Sequence, residues 1–222
     1  MNNTDIGVWS CARTSSKRCP EKMVRSFHDT TLTDIFLAKL SKLKNNVFFA
    51  GFESIFKEKC QKYDVTFVQR SYESANVDEP AAKIYEFLLS QPYDYFLQVN
   101  ACAPFLKVDT IVNFLKECTH DRRPSFAVVK KKNYLVHPNG EPINWSRGIT
   151  TINTKKVDYV YEFAHLFYFF KKTYFAEHGW YWDWNDLRYI EIPEGLEVFD
   201  IDTEEQFLMA ESIWKDRNYP KM

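Results

Sequence analysis

Between residues 6 and 129, apolar runs of strand length alternate with segments whose apolar residues recur at helical spacing, and few folds accept that rhythm. Ile6 to Ala12 reads as a buried strand, and a polar, basic loop follows from Arg13 to Arg25. Thr31 opens a capping box with Asp34, and Leu32, Ile35, Phe36, Leu40 and Leu43 share one helix face. Strands are expected at Val47–Ala50, Val65–Val68, Tyr93–Val99 and Ser125–Val129. Helices are expected at Ser54–Lys62, from an Asp78 N-cap with first-turn Pro80 to about Ser90, and at Val108–Cys118. Strand and helix in strict alternation build βαβ units, whose crossovers are right-handed. The expected fold class is therefore α/β, three-layered, around a mainly parallel sheet. Ligands of such sheets sit outside the carboxyl ends of the strands, so the loops after Ala12 and after Val99 are where chemistry belongs.

From Lys130 the rhythm changes. Asn139-Gly140 lies between two extended halves of Tyr134–Trp145, a hairpin signal. Strands are expected at Ala164–Phe170, Leu187–Ile192 and Leu196–Ile201, with a short helix at Thr173–His178. Thr203 caps a last helix running to about Trp214. Neither an internal repeat nor a linker interrupts the 222 residues, so a single domain over 1–222 is expected, with 130–192 as a β-rich insertion.

Composition excludes several function classes. A net charge of -1 gives no global field for nucleic acid or a membrane surface. Hydrophobic residues are 45% and charged residues 27%, the balance of a folded globular chain. No apolar run reaches the length of a membrane span or a signal core. Five irregularly spaced cysteines carry no zinc spacing, which predicts reduced thiols and a cytoplasmic protein.

Two segments carry chemistry. Ala12-Arg-Thr-Ser-Ser-Lys-Arg-Cys-Pro-Glu-Lys22 packs four cations and three hydroxyls into eleven residues directly behind the first strand. A triphosphate needs that combination of dispersed charge and donors, although a solvated basic turn has the same composition. No glycine is present, so it is neither a Walker loop nor a dinucleotide fingerprint. In Val198-Phe-Asp200-Ile-Asp202-Thr, the two carboxylates would share one face of a strand. Such a pair suits magnesium, which takes one or two carboxylates plus phosphate oxygens. Equally, Asp202 and Thr203 could simply cap the last helix.

Both segments resemble motifs of the CMP-sialate synthetase (acylneuraminate cytidylyltransferase) family. The first is similar to Pro-Ala-Arg-x-Gly-Ser-Lys-Arg-x-Pro-x-Lys-Asn, with Cys11, Ser15 and Met23 replacing its proline, glycine and asparagine. The second resembles the family's closing Asp-x-Asp segment, and the two stand in the family's order. The resemblance runs loosely over residues 6–215. It implies a nucleotide-diphospho-sugar transferase (Rossmann-like) fold and transfer of CMP from CTP to the anomeric hydroxyl of a sialic-acid-like 2-keto sugar acid, with release of pyrophosphate. It further implies that Ala12, Arg13, Ser16, Lys17, Lys22, Arg70 and Gln98 bind the nucleotide. Asp200 and Asp202 would hold Mg2+, and Arg13, Lys22 and Asp202 would be catalytic. Relatives of this kind are commonly dimers, and the 130–192 region would serve acceptor binding and homodimerisation. CTP and an acidic sugar are the implied partners, with no nucleic acid and no membrane.

Pro20-x-Lys22 also resembles the Kdo-activating branch, so a Kdo-type acceptor is an alternative, as is a weakened paralogue that only binds nucleotide. Tyr161 to Lys171 is similar to a family segment reading Tyr-x-x-Asn-Gly-Ala-x-Tyr-Ile, in which Ala164 and His165 replace Asn-Gly. On its own residues, His165 reads as a core or surface histidine and Cys102 as a buried structural thiol. Trp180 to Trp184 could stack on a base or sugar, plug the core or form a subunit contact.

Overall fold

The computed structural model describes residues 5–43 and 46–217. Seven strands form one sheet: β1 (Ile6–Cys11), β2 (Asn46–Gly51), β3 (Thr66–Gln69), β4 (Tyr95–Val99), β5 (Ser125–Lys131), β6 (Val160–Lys171) and β7 (Arg188–Glu191). Their order across the sheet is β3-β2-β1-β4-β6-β5-β7, and only β6 runs antiparallel to its neighbours. The helices are α1 (Leu32–Leu40), α2 (Ser54–Lys62), α3 (Tyr72–Asn76), α4 (Ala81–Ile84), α5 (Val108–Asp121), α6 (Lys172–His178) and α7 (Glu204–Asp216).

The sheet divides two apolar cores. One packs Val8, Phe49 and Leu97 with Leu37 of α1, Phe56 of α2, Ile111 of α5 and Trp214 of α7. The other packs Trp9, Phe48, Phe96 and Phe126 with Phe87, Phe175 and Trp182. The expected three layers are thus present. Burial on both faces explains why β1 and β4 read as continuous apolar runs rather than alternating ones. Chain order reverses between β1 and β4, which pair in parallel, and a crevice opens beyond their carboxyl ends at that switch point.

Four expectations change. Leu196–Ile201 is not a strand: Leu196–Val198 forms a single 3-10 turn, and the chain then crosses the strand ends instead of lying beside one. Its contacts explain why, because Ile201 N–H donates to Cys102 O, beyond the end of β4, at 3.0 Å. Asp78 caps no helix. The expected helix to Ser90 breaks into α4, with Pro80 as its N-cap residue, and a 3-10 turn at Glu86–Ser90. Unforeseen α3 forms behind Arg70 because Ser71 Oγ accepts from Ser74 N–H, a sound N-cap. The Asn139-Gly140 turn exists, with Gly140 at φ +84°, but its flanks form no strand pair beyond the isolated bridge Val136–Pro142.

Boundaries elsewhere move by a few residues, and β6 is the largest gain, starting at Val160 rather than Ala164. Thr203 caps α7 as expected: its hydroxyl accepts from Gln206 N–H, and the Gln206 side chain accepts back from Thr203 N–H. The described cysteines form no disulfide. No helix among the described residues is long and apolar enough to cross a membrane.

Candidate active site

The loop after β1 and the loop before α7 face each other across the crevice. A cavity of about 480 Å³ there is lined by Cys11, Ala12, Arg13, Ser16, Lys17, Arg18, Lys22, Met23, Asp78 and Cys102. Five residues singled out by sequence, Ala12, Arg13, Ser16, Lys17 and Lys22, therefore share one cavity, and its volume lies in the range of small-molecule sites. A second hollow of about 240 Å³ shares Cys11, Ala12 and Arg13 with the first and continues to Arg70 and Tyr85.

Every cation on this loop that the hydrogen bonds describe has a carboxylate opposite it. Arg13 reaches Asp78 at 2.5 Å and Lys17 reaches the same carboxylate at 3.5 Å. Arg18 reaches Asp202 at 2.9 Å and Lys22 reaches it at 3.4 Å. The Arg13 guanidinium, and then the Lys17 charge, hold the Asp78 carboxyl below its usual range. Thr14 is fixed separately, its N–H and hydroxyl both donating to Glu53 Oε1 at 2.9 and 2.6 Å. Arg18, Asp78 and Glu53 were not among the sequence candidates. Arg18 could have been picked from its place in the loop, whereas the pairing of Asp78 across 65 residues left no local signal.

Lys22 joins the two ends of the chain. Its side chain is only 12% exposed, and Nζ donates to Ile201 O between the two aspartates. Burial alone would lower its pKa, but Cys102, Asp200 and Asp202 outweigh burial and hold the ammonium above its usual value. Asp200 lies deeper. Burial, then the Asp202 charge, pushes its carboxyl up, while Lys22, Asn100 and His165 pull the other way. The two carboxylates are thus close neighbours, brought together by the crossing loop and not by strand alternation. Asp200 Oδ1 is buried with no hydrogen-bond partner, and a carboxylate oxygen left so is a fit for a hard cation. Among the described residues no cluster of three or more acidic, His or Cys side chains forms a complete metal cage. A magnesium ion here would take its remaining ligands from water and phosphate, as that ion prefers.

Arg70 and Gln98 do not line the larger cavity. Arg70 is 4% exposed, and its guanidinium donates to Ala12 O, Ser74 Oγ, Ser74 O and Ile84 O. The side chain ties α3 and α4 to the end of β1 and lines the smaller hollow. Gln98 sits on β4 opposite Trp9 of β1, with its Oε1 buried and unpartnered. Such an oxygen can accept from an exocyclic amine.

Residues 11–219 match the sequence profile of the family described as cytidylyltransferase. The chain belongs to the cytidylyltransferase family. Solved structures agree on the fold of this cytidylyltransferase. A CMP:2-keto-3-deoxy-manno-octonic acid synthetase complexed with CTP superposes with TM-score 0.70 at 10% identity, covering 96% of this chain and 99% of the other. The 4-diphosphocytidyl-2C-methyl-D-erythritol synthase of Anaerococcus prevotii gives 0.66 at 16% identity, over 95% and 96%. A cytidylyltransferase of Leptospira borgpetersenii gives 0.59 at 14%, over 98% and 88%. No curated protein matches the chain significantly. Family membership makes it a CTP-dependent nucleotidyltransferase, and the identities are low enough that the superpositions speak for fold alone.

Proposed function

We propose that this cytidylyltransferase transfers CMP from CTP to a hydroxyl of a 2-keto sugar acid and releases pyrophosphate. The observation that carries the reading is the single cavity in which Arg13, Ser16, Lys17 and Lys22 converge, with Asp202 bound to Lys22 at its rim. Nucleotidyl transfer is in-line displacement at phosphorus, so the protein's work is alignment and charge neutralisation. Arg13 and Lys17 exchange Asp78 for phosphate oxygens, Ser16 donates its hydroxyl, and Lys22 meets the charge that develops on the leaving pyrophosphate. Arg70 holds the end of β1, and so the start of the phosphate loop, in place. Gln98 accepts from the cytosine amine. Asp200 and Asp202 would hold Mg2+, which supplies Lewis-acid stabilisation of phosphate charge.

Sialic-type and Kdo-type acids have equal support. The first rests on the two sequence motifs, the second on the superposition with a synthetase that activates 2-keto-3-deoxy-manno-octonic acid. Pyrophosphate release from each of the four NTPs with magnesium, against sialic, pseudaminic, legionaminic and Kdo acids, tests the reading. Asp202→Ala should cut CTP-dependent release about a hundredfold. Turnover with another NTP, or an Asp202→Ala enzyme as fast as the parent, would sink it.

A further inference from the structure

A short strap, residues 71–80, leaves the end of β3 and reaches the cationic loop behind β1. Its root is fixed: Ser74 and Ala75 are buried, and Arg70 donates to Ser74 O and Ile84 O. Beyond Ala75 the strap is exposed apart from half-buried Val77. A row of polar contacts joins it to the loop. Ser15 Oγ donates to Asn76 Oδ1 at 3.3 Å, and Arg13 Nη1 donates to Ala75 O and Val77 O at 3.5 and 3.4 Å. Arg13 Nη2 donates to Asp78 Oδ1 at 2.5 Å, and Lys17 Nζ to Asp78 Oδ2 at 3.5 Å.

Asp78 lines both the larger and the smaller cavity, and each of its oxygens engages one of two cations assigned above to phosphate. The Arg13 Nη2 donor points at this carboxylate, so a phosphate takes that donor only by displacing it. Displacement is easy. The side chains of Asp78 and Lys17 are 59% and 85% exposed, and ion pairs screened by water hold weakly. A carboxylate brings one charge, whereas a polyphosphate brings several and accepts from guanidinium in the same geometry. Arg13 Nη1 keeps its carbonyls meanwhile, so the guanidinium can change partner without leaving its place. An ion pair that served folding alone would have no need to line both cavities.

We propose that Asp78 is an autoinhibitory anion, holding Arg13 and Lys17 while the cavity is empty, yielding them to a polyphosphate, and retaking them as pyrophosphate leaves. The proposal rests on the nucleotidyl-transfer reading and adds to it how the phosphate loop is regulated. Asp78 thus makes CTP bind more weakly than the bare loop would, and makes pyrophosphate easier to release.

The test uses the full chain with Asp78→Asn, which removes the charge, and Asp78→Glu, which keeps it. Calorimetry is run with CTP and magnesium, and separately with inorganic pyrophosphate, at about 0.05 M and about 0.2 M salt. Asp78→Asn should bind both ligands about threefold to tenfold more tightly than the parent at low salt. The gain should shrink at the higher salt, because ions screen exposed pairs. Asp78→Glu should stay within about twofold of the parent. CTP binding that is unchanged or weaker in Asp78→Asn would overturn the proposal, since a carboxylate that merely orients Arg13 gives that sign. A gain that salt leaves untouched, or that Asp78→Glu shares, overturns it too, because charge would not be the cause. A parent that fails to bind CTP while pyrophosphate still binds more tightly to Asp78→Asn strikes the nucleotidyl-transfer reading and leaves the latch standing. A parent that binds neither ligand overturns both.

Discussion

The two sides of the crevice are made of different material. On one side, the loop that follows β1 carries four cations matched two to each carboxylate, Arg13 and Lys17 to Asp78, Arg18 and Lys22 to Asp202. On the other side, β6, β7 and the segment before β7 carry a continuous network of rings from Tyr168 through Trp182 and Trp184 to Phe163 and Tyr189. Charged contacts are specific in distance and sign, so such a loop keeps a recognisable residue pattern. Ring contacts, here at 5.8–6.2 Å, tolerate many geometries, so the second side can be rebuilt while the first keeps its pattern. The contrast sets a loop of fixed charge pairs against a wall of interchangeable ring contacts.

The strongest blow to the aromatic side should be Trp182→Ala, which removes a ring 2% exposed and should cost about 3–5 kcal/mol, read as the largest fall in Tm. If Tm hardly moves, the aromatic side is not a core. Arg70→Ala strikes the cationic side through its frame. It strands Ala12 O and Ser74 O and leaves Ile84 O only the Ser74 hydroxyl, and about 3 kcal/mol should be lost, or roughly 6–12 °C in Tm. Lys22→Met should lower turnover about a hundredfold while Tm falls far less than in Trp182→Ala, because Lys22 serves charge more than packing. An equal fall in Tm would erase the distinction between the two sides.

Asp200→Asn should act in opposite directions on stability and rate. The folded carboxyl has a raised pKa, so the folded state holds its proton to higher pH than the unfolded chain does. Without metal, stability therefore declines as pH rises from the ordinary carboxylate value through the folded pKa, then levels off. The asparagine removes that decline and should raise Tm by about 2–4 °C at neutral pH, while metal-dependent turnover collapses. Thermal melts across pH without magnesium check the sign. The smallest effect belongs to Trp184→Ala, whose residue is 54% exposed: less than about 1 kcal/mol on stability, with any loss appearing in acceptor KM.

Much of this was legible before any coordinates. The alternation from Ile6 to Val129 gave β1 to β5 nearly in place, and the Thr203 cap located the start of α7 to the residue. The cationic loop was legible because its residues are contiguous. Asp200 and Asp202 were selected for a reason the structure replaces, since no strand runs through them. Arg70 was read as a nucleotide contact from its position, yet its donors are all directed into protein. Nothing at Asp78 revealed that it faces Arg13, because Asp-x-Pro looks the same whether it caps a helix or balances a distant charge.

The chain's periodicities and its two polar motifs determined by themselves the layers, the parallel sheet and the cationic loop behind β1, because each is a local pattern of sterics and charge. Tertiary structure alone decided that Lys22 bridges the ends of the chain, that Asp200 Oδ1 is left without a hydrogen-bond partner, and that a bulge opposite Ala127 sets His165 in a left-handed conformation. Those three depend on which strands are neighbours and on what burial does to a charge, and neither is written in any window of consecutive residues.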